Sequence, residues 1–254
     1  MCGRFAVTVD PALLAEQIDA VNEIPADAYP GPSYNVAPTD AVATVVSRRT
    51  DPDDVPTRRV RLMRWGLVPP WTKAGPDGAP VAGGPLLINA RADKITTSPA
   101  YRSSAEHRRC LVPMDGFYEW RPAPQQSGVP AGKKTRKTPF YIHGDGAMLF
   151  AAGLWSVWRG DRRSAPLLSV TIITTGAVGR LAEIHDRMPL LLPENHWDTW
   201  LDPDSPVDTA LLAHRPSEQG IVLREVSTLV NSVGNNGPEL IAPAAPQPEQ
   251  PYLL

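Results

Sequence analysis

The sequence predicts an α+β fold, a single domain built mainly on antiparallel β-sheet with a few short helices. Three observations predict it. Short β-rich runs dominate the chain. Helix-length apolar periodicity is rare. Strands do not alternate with helices as a parallel α/β sheet requires. The 254 residues suffice for one large domain, and a hydrophobic share of 42% supplies its core. Prolines number 29, which favours loops and short elements.

Taken in order, residues 3–9 (GRFAVTV) read as a strand. Asp10-Pro11 opens a short amphipathic helix, DPALLAEQIDAV, with Asp10 suited to the N-cap and Pro11 to the first helical position. Residues 22–40 read as a loop punctuated by prolines. AVATVVSR (41–48) is a strand, DPDDVP (51–56) a turn and RRVRLMRWGL (58–67) a strand. Residues 72–85 read as a surface loop, and Ser98-Pro99 starts a short helix. CLVPMDGFYEW (110–120) holds two β-like runs around a turn at Asp115-Gly116. Residues 121–138 are polar, basic and low in complexity, and read as a flexible hairpin extension. Strands follow at 139–143, 147–155 and 167–174, then helices at 176–184 and 193–201. The domain is expected to span 1–241, with 242–254 a Pro-rich disordered tail.

Bulk properties remove several function classes. A net charge of −2 and a pI near 6.2 argue against coating nucleic acid through overall charge, and leave a local basic cleft open. Two cysteines without a C-x-x-C pair give neither a disulfide framework nor a cysteine metal site, so no metal is expected. MCGRFAVTVD is no signal peptide, and no run of 18 apolar residues is long enough to span a bilayer. The expected setting is a reducing cytoplasm, at the nucleoid when bound to DNA, with no membrane partner. No G-x-G-x-x-G or P-loop pattern occurs, so no nucleotide cofactor, and no cofactor at all, is expected.

Cys2 carries the most chemical information. Methionine is normally removed before a small residue, which would leave a thiol and a free α-amine on one residue. Their reference pKa values of about 8.5 and about 7.7–8.0 keep both partly nucleophilic near neutrality. Such a 1,2-aminothiol condenses with an aldehyde, first to a Schiff base and then to a thiazolidine ring, the second step gaining from effective molarity. By position alone, Cys2 reads first as an ordinary small residue beside a strand.

The motifs around it change that reading. MCGRF (1–5), YNVAPT (34–39), RWGLVPPW (64–71), INARAD (88–93), RRCLVPMDGFYEW (108–120), FAAGLW (150–155) and TIITTGA…IHDRMPLLL (171–192) occur in this order over most of residues 1–230. In these the chain resembles the SOS-response-associated peptidase (SRAP) family of abasic-site processing proteins. The resemblance implies a single barrel-like SRAP domain. It also implies covalent capture of abasic sites in single-stranded DNA during the DNA damage response. Cys2 is then the nucleophile, Asn89 a hydrogen-bond partner of the sugar, Glu119 the acid/base for ring opening and His185 a second proton carrier. Ring opening and loss of water both need proton transfers, so a carboxylate and an imidazole fit the chemistry.

Taken singly, each has a plainer reading: Glu119 a salt-bridged edge residue, His185 a satisfied helix-terminal histidine, Asn89 a helix cap. Cys110 reads as a buried structural thiol. The resemblance places Arg4 and Arg91 near backbone phosphates, with Arg187 as a further candidate; guanidinium forks suit phosphate. Trp65, Trp71 and Trp120 are candidates to stack on bases or wedge a strand, with core packing as the alternative for each. Asn35, Ala37 and Pro38 are expected to line the same pocket. The basic run KKTRK (133–137) reads as a solvated loop with some attraction for DNA. Relative to the family pattern, 121–138 and the Pro-rich tail are additions. Three further activities stay open: a thiol autopeptidase that removes its own Met1, a noncovalent binder of modified DNA, and a lyase that nicks through the Schiff base. A monomer is expected.

Overall fold

The computed structural model describes residues 2–81, 84–123, 137–161, 163 and 165–244. Most of the 121–138 segment and of the Pro-rich tail lie outside the described residues.

Among the described residues, thirteen strands carry the fold: β1 (Phe5–Val7), β2 (Ala20–Asn22), β3 (Ser33–Val36), β4 (Ala41–Arg48), β5 (Thr57–Trp65), β6 (Asn89–Arg91), β7 (Arg109–Met114), β8 (Gly116–Pro122), β9 (Lys137–Gly144), β10 (Leu149–Trp158), β11 (Leu167–Gly176), β12 (Arg187–Pro189) and β13 (Ile221–Glu225). Four short helices accompany them among the described residues: α1 (Pro11–Gln17), α2 (Arg102–His107), α3 (Trp197–Leu201) and α4 (Thr209–Leu212). At α1 the Asp10 side chain accepts a hydrogen bond from the Ala12 amide and Pro11 takes the first helical position, as its sequence requires.

A five-stranded sheet runs β13-β9-β8-β1-β3 and is antiparallel throughout. A larger sheet runs β12-β11-β10-β7-β4-β5-β2, with β6 beside β11. It closes on itself because β11 also pairs in parallel with β5, Ser169 with Arg64 and Val170 with Trp65. The ring β11-β10-β7-β4-β5 makes the barrel. Closure leaves those strands without a free edge along their paired length.

Strand alternation sends side chains to two apolar clusters. One face of the ring joins the five-stranded sheet around Phe5, Trp65, Val112, Phe117 and Trp155, and includes Cys2 and Cys110. The other face packs Val45, Leu111 and Leu154 under α1, α2 and α3. Cys110 is accordingly a buried thiol.

Several elements differ from expectation. The loop expected at 22–40 contains β3, held by its pairing with β1. The helix expected at 176–184 is a 3-10 turn over Gly179–Glu183, because β11 runs on to Gly176 and Gly179 sits at φ +49°. The 193–201 helix begins as a 3-10 turn and is α-helical over Trp197–Leu201. At Ser98-Pro99 a turn precedes α2.

Candidate active site

Cys2 precedes β1, whose register on β8 pairs Phe5 with Phe117 and Ala6 with Gly116. The Tyr118 amide donates to the Arg4 carbonyl at 2.9 Å. Carried back along the chain, this antiparallel register sets Cys2 beside the Glu119–Trp120 end of β8. Asn89 arrives from the other sheet, because β6 pairs in parallel with β11 at Ile172. Its Nδ2 donates to the Cys2 carbonyl at 2.7 Å, and the Tyr101 hydroxyl donates to the Asn89 carbonyl at 3.2 Å. The Asn89 Oδ1 is buried and has no hydrogen-bond partner among the described residues. The amide therefore anchors the chain at Cys2 and keeps one acceptor unused.

Cys2 is 0% exposed and Glu119 3%. Burial raises the Glu119 carboxyl above its usual range, and the nearby His185 opposes that rise. Burial, and then the Glu119 charge, raise the Cys2 thiol well above its ordinary value. Both groups are thus biased toward their protonated forms. His185 follows the 3-10 turn, its amide bonded to the Leu181 carbonyl at 3.1 Å. Its Nδ1 lies 3.0 Å from the Arg187 amide and 2.8 Å from Asp186 Oδ1. The first contact needs an unprotonated Nδ1 and the second a protonated one. The ring therefore has a local partner in either state, as a proton carrier requires. Cys2, Asn89, Glu119 and His185 thus meet from four separate parts of the chain.

The arginines divide. Arg91 and Arg187 line one hollow of about 450 Å³ together with Thr96, Thr174, Thr175 and Thr209. Arg91 is exposed and doubly bonded to Asp93, Nε to Oδ1 at 2.9 Å and Nη2 to Oδ2 at 3.0 Å. Arg187 donates Nη2 to Thr174 Oγ1 at 2.9 Å. Arg4 is half-buried, its Nη1 donating to Asn35 Oδ1 at 2.6 Å and to the Val230 carbonyl at 3.0 Å. It joins β1 to β3 and to the 230 segment, a scaffold duty the MCGRF motif did not reveal.

The tryptophans divide too. Trp65 is 0% exposed, edge-on to Phe5 at 5.0 Å between ring centroids, with Nε1 donating to the Ile88 carbonyl at 3.0 Å. It is a core residue and is corrected from the set expected to stack on DNA bases, since no base can reach it. Trp71 is 61% exposed. Trp120 is half-buried and donates Nε1 to Asn231 Oδ1 at 2.7 Å. Pro38 is partly exposed in the loop after β3. The next residue, Thr39, holds φ +85°, unusual for a β-branched side chain; its amide bonds to the Trp65 carbonyl at 2.9 Å. Asn35 is buried and donates Nδ2 to the Ser232 and Asn235 carbonyls at 2.9 and 2.8 Å. Asn231, Asp186 and Tyr101 were missed by sequence reasoning. Asp186 was findable as the neighbour of His185; Asn231 and Tyr101 leave no signal. Among the described residues, no group of three or more His, Cys, Asp or Glu side chains is placed to hold a metal ion.

Comparison with known proteins bears on the family and the fold. The family model described as SOS response associated peptidase (SRAP) matches residues 1–233. The chain is 33% identical over 243 residues to the abasic site processing protein YoqW of Bacillus subtilis, covering 95% of this chain and 99% of that one. It is 34% identical over 232 residues to the abasic site processing protein HMCES of Gallus gallus, covering 84% of this chain and 66% of that longer one. A crystal structure of a protein from Bacteroides thetaiotaomicron superposes with a TM-score of 0.75 at 21% identity, over 96% of this chain and all of that one, and shares the fold. A match that runs from the cysteine motif through the barrel to residue 233, with relatives of nearly the same length, places this chain in the SRAP family.

Proposed function

We propose that the protein processes abasic sites in single-stranded DNA by capturing them covalently through Cys2 after Met1 has been removed. The observation that carries the reading is the bond from Asn89 Nδ2 to the Cys2 carbonyl, with Glu119 close enough to act on the thiol electrostatically. The relatives' names supply the substrate class.

The amine of Cys2 attacks the aldehyde of the ring-opened sugar to give a carbinolamine. Loss of water yields the Schiff base. The thiol then adds to the imine carbon and its proton goes to nitrogen, closing a thiazolidine; one water leaves overall. Burial favours the thiol over the thiolate, so the amine leads and sulfur follows. A carboxyl raised by burial is a competent acid for opening the sugar and expelling water, and His185 moves the second proton. Asn89 fixes the backbone of Cys2 and keeps Oδ1 for a sugar hydroxyl or the new amine. Ring closure removes the imine and so suppresses strand cleavage.

Abasic single-stranded DNA incubated with the protein and run on a denaturing gel should give a shifted band. Cys2→Ala should remove it. No band from protein whose intact mass shows Met1 gone would refute the reading. Self-removal of Met1 is a second reading, supported by the nearness of the Glu119 carboxyl to the Cys2 thiol, where it can serve as the base. In that case Glu119→Gln retains Met1 by mass while the unmodified protein loses it; equal loss assigns the step to another enzyme.

A further inference from the structure

A second cationic site lies away from Cys2, at the other end of the barrel strands. The register joins Asn89, Ile172, Gly153 and Cys110 in one row across the sheet. Arg91 and Arg187 lie from that row toward one strand end, where they pair with Thr174 and Gly176. Trp155 and Arg108 lie toward the other, the Trp155 amide bonding to the Arg108 carbonyl at 2.9 Å. Alternation puts Arg48 on the face of Val46, Arg59 and Arg61 on that of Met63, and Arg108 on that of Cys110. Four guanidiniums therefore gather at one barrel end.

Arg59 and Arg61 share one counter-ion, Glu23; Arg61 Nε lies 3.0 Å from its Oε2. Arg48 and Arg108 have none. Their guanidinium carbons lie 5.2 and 5.9 Å from the centroid of the same Trp155 ring, and neither guanidinium makes a hydrogen bond or ion pair among the described residues. Trp155 is itself 2% exposed, so the indole is a floor and leaves no face for a base. Arg48 and Arg108 line a hollow of about 340 Å³ with Arg49, His107, Pro203 and Asp204. The one carboxylate in that lining, Asp204, is already bonded to Arg49. Burial, then repulsion from Arg61, Arg108 and Arg59, lowers the proton affinity of Arg48. Contact with an indole accounts for one cation. It does not account for two mutually repelling cations on one ring with no anion between them. A bound phosphate does.

We propose that Arg48 and Arg108 clamp a phosphodiester group of the DNA strand, as a second contact away from the capture site. This inference rests on the proposed capture of single-stranded DNA. Its predicted effect is a dependence on strand length: a long strand reaches both sites and a short one only the first.

Binding of undamaged short and long single strands, followed by fluorescence anisotropy across a salt series, tests it. Arg48→Gln/Arg108→Gln should weaken the long strand about tenfold and leave the short one unchanged. Its log–log salt slope for the long strand should fall by about 0.7, the value for one phosphate contact of a single strand. Arg48→Lys/Arg108→Lys should keep most of the slope, which separates charge from lost packing on Trp155. Unchanged long-strand affinity and slope in the Gln variant overturn the proposal. So does displacement of the long strand's variant-sensitive binding by polyglutamate alone, which assigns the site to an acidic protein. Crosslinking of a short abasic strand reads the capture reaction independently and should be equal in both proteins. Its absence in the wild type would sink the capture reading and leave the anisotropy result standing.

Discussion

Arg109 and Glu119 show how burial decides what a charged residue does. Arg109 is buried and has no carboxylate partner among the described residues. It donates Nε to the Trp200 carbonyl at 2.7 Å, Nη1 to the Ala105 and Glu106 carbonyls at 2.8 and 3.0 Å, and Nη2 to the Ser205 and Asp202 carbonyls. It thereby ties the ends of α2 and α3 to β7. Arg109→Met would orphan several buried carbonyls at about 1–3 kcal/mol each. A loss of roughly 3 kcal/mol or more in urea unfolding is expected, with the barrel's near-ultraviolet signal retained under native conditions. Its neighbour Arg108 faces the other way and carries none of these bonds. The adjacency of the pair was visible in RRC; their division was not, because it depends on which face the helices cover.

Glu119 titrates above its usual range. The folded state therefore holds the proton more tightly than the unfolded one. The stability this contributes is present below the ordinary glutamate value and is lost as pH rises through the raised one. Glu119→Gln keeps the shape without the titration. Its melting temperature should gain on the wild type as pH rises from the ordinary carboxyl range toward the raised value. The wild-type capture rate should fall across the same window. The variant should be slow throughout and lack that limb; a shared limb would assign the proton to another group.

At the scale of elements, legibility followed length. β4 matches its expected span, and the Asp10-Pro11 start of α1 was readable because capping is local chemistry. The three-residue strands β6 and β12 were not, since three residues display no period and exist only through β11. Yet β6 delivers Asn89 to Cys2. The site's residues were thus recognisable as motifs while their meeting was not. The RWGLVPPW segment makes the same point within eight residues. Trp65 belongs to the strand and packs on Phe5; Trp71 lies beyond it and is exposed. Trp65→Ala should cost about 3–5 kcal/mol in denaturant unfolding. Trp71→Ala should leave stability within about 0.5 kcal/mol and report, through DNA affinity, whether that ring meets a base.

Across the whole molecule, the segment around β1 is tied to residues 230–235. Arg4 and Asn35 both bond to carbonyls of the 230–235 segment, and Trp120 bonds to Asn231 in it. Asn35→Ala would break three donated bonds and strip Arg4 of one of its two acceptors, at about 2–4 kcal/mol. Amide exchange should rise in residues 2–7 and 228–236 together; a rise in one segment alone would mean that the tie is weaker than drawn. Nothing in YNVAPT points to a partner almost two hundred residues on, which is why Asn35 read only as a pocket residue.

Closure of the barrel between β5 and β11 has a consequence for a chain still being made. Trp65 must wait for Val170, and Cys2 must wait for Asn89, Glu119 and finally His185, in that order of synthesis. A copy that stalls on the ribosome before Leu167 has an open sheet with unpaired edges and no imidazole at its site. Such an unfinished chain holds Cys2 without the full set of side chains that the closed barrel gathers around it.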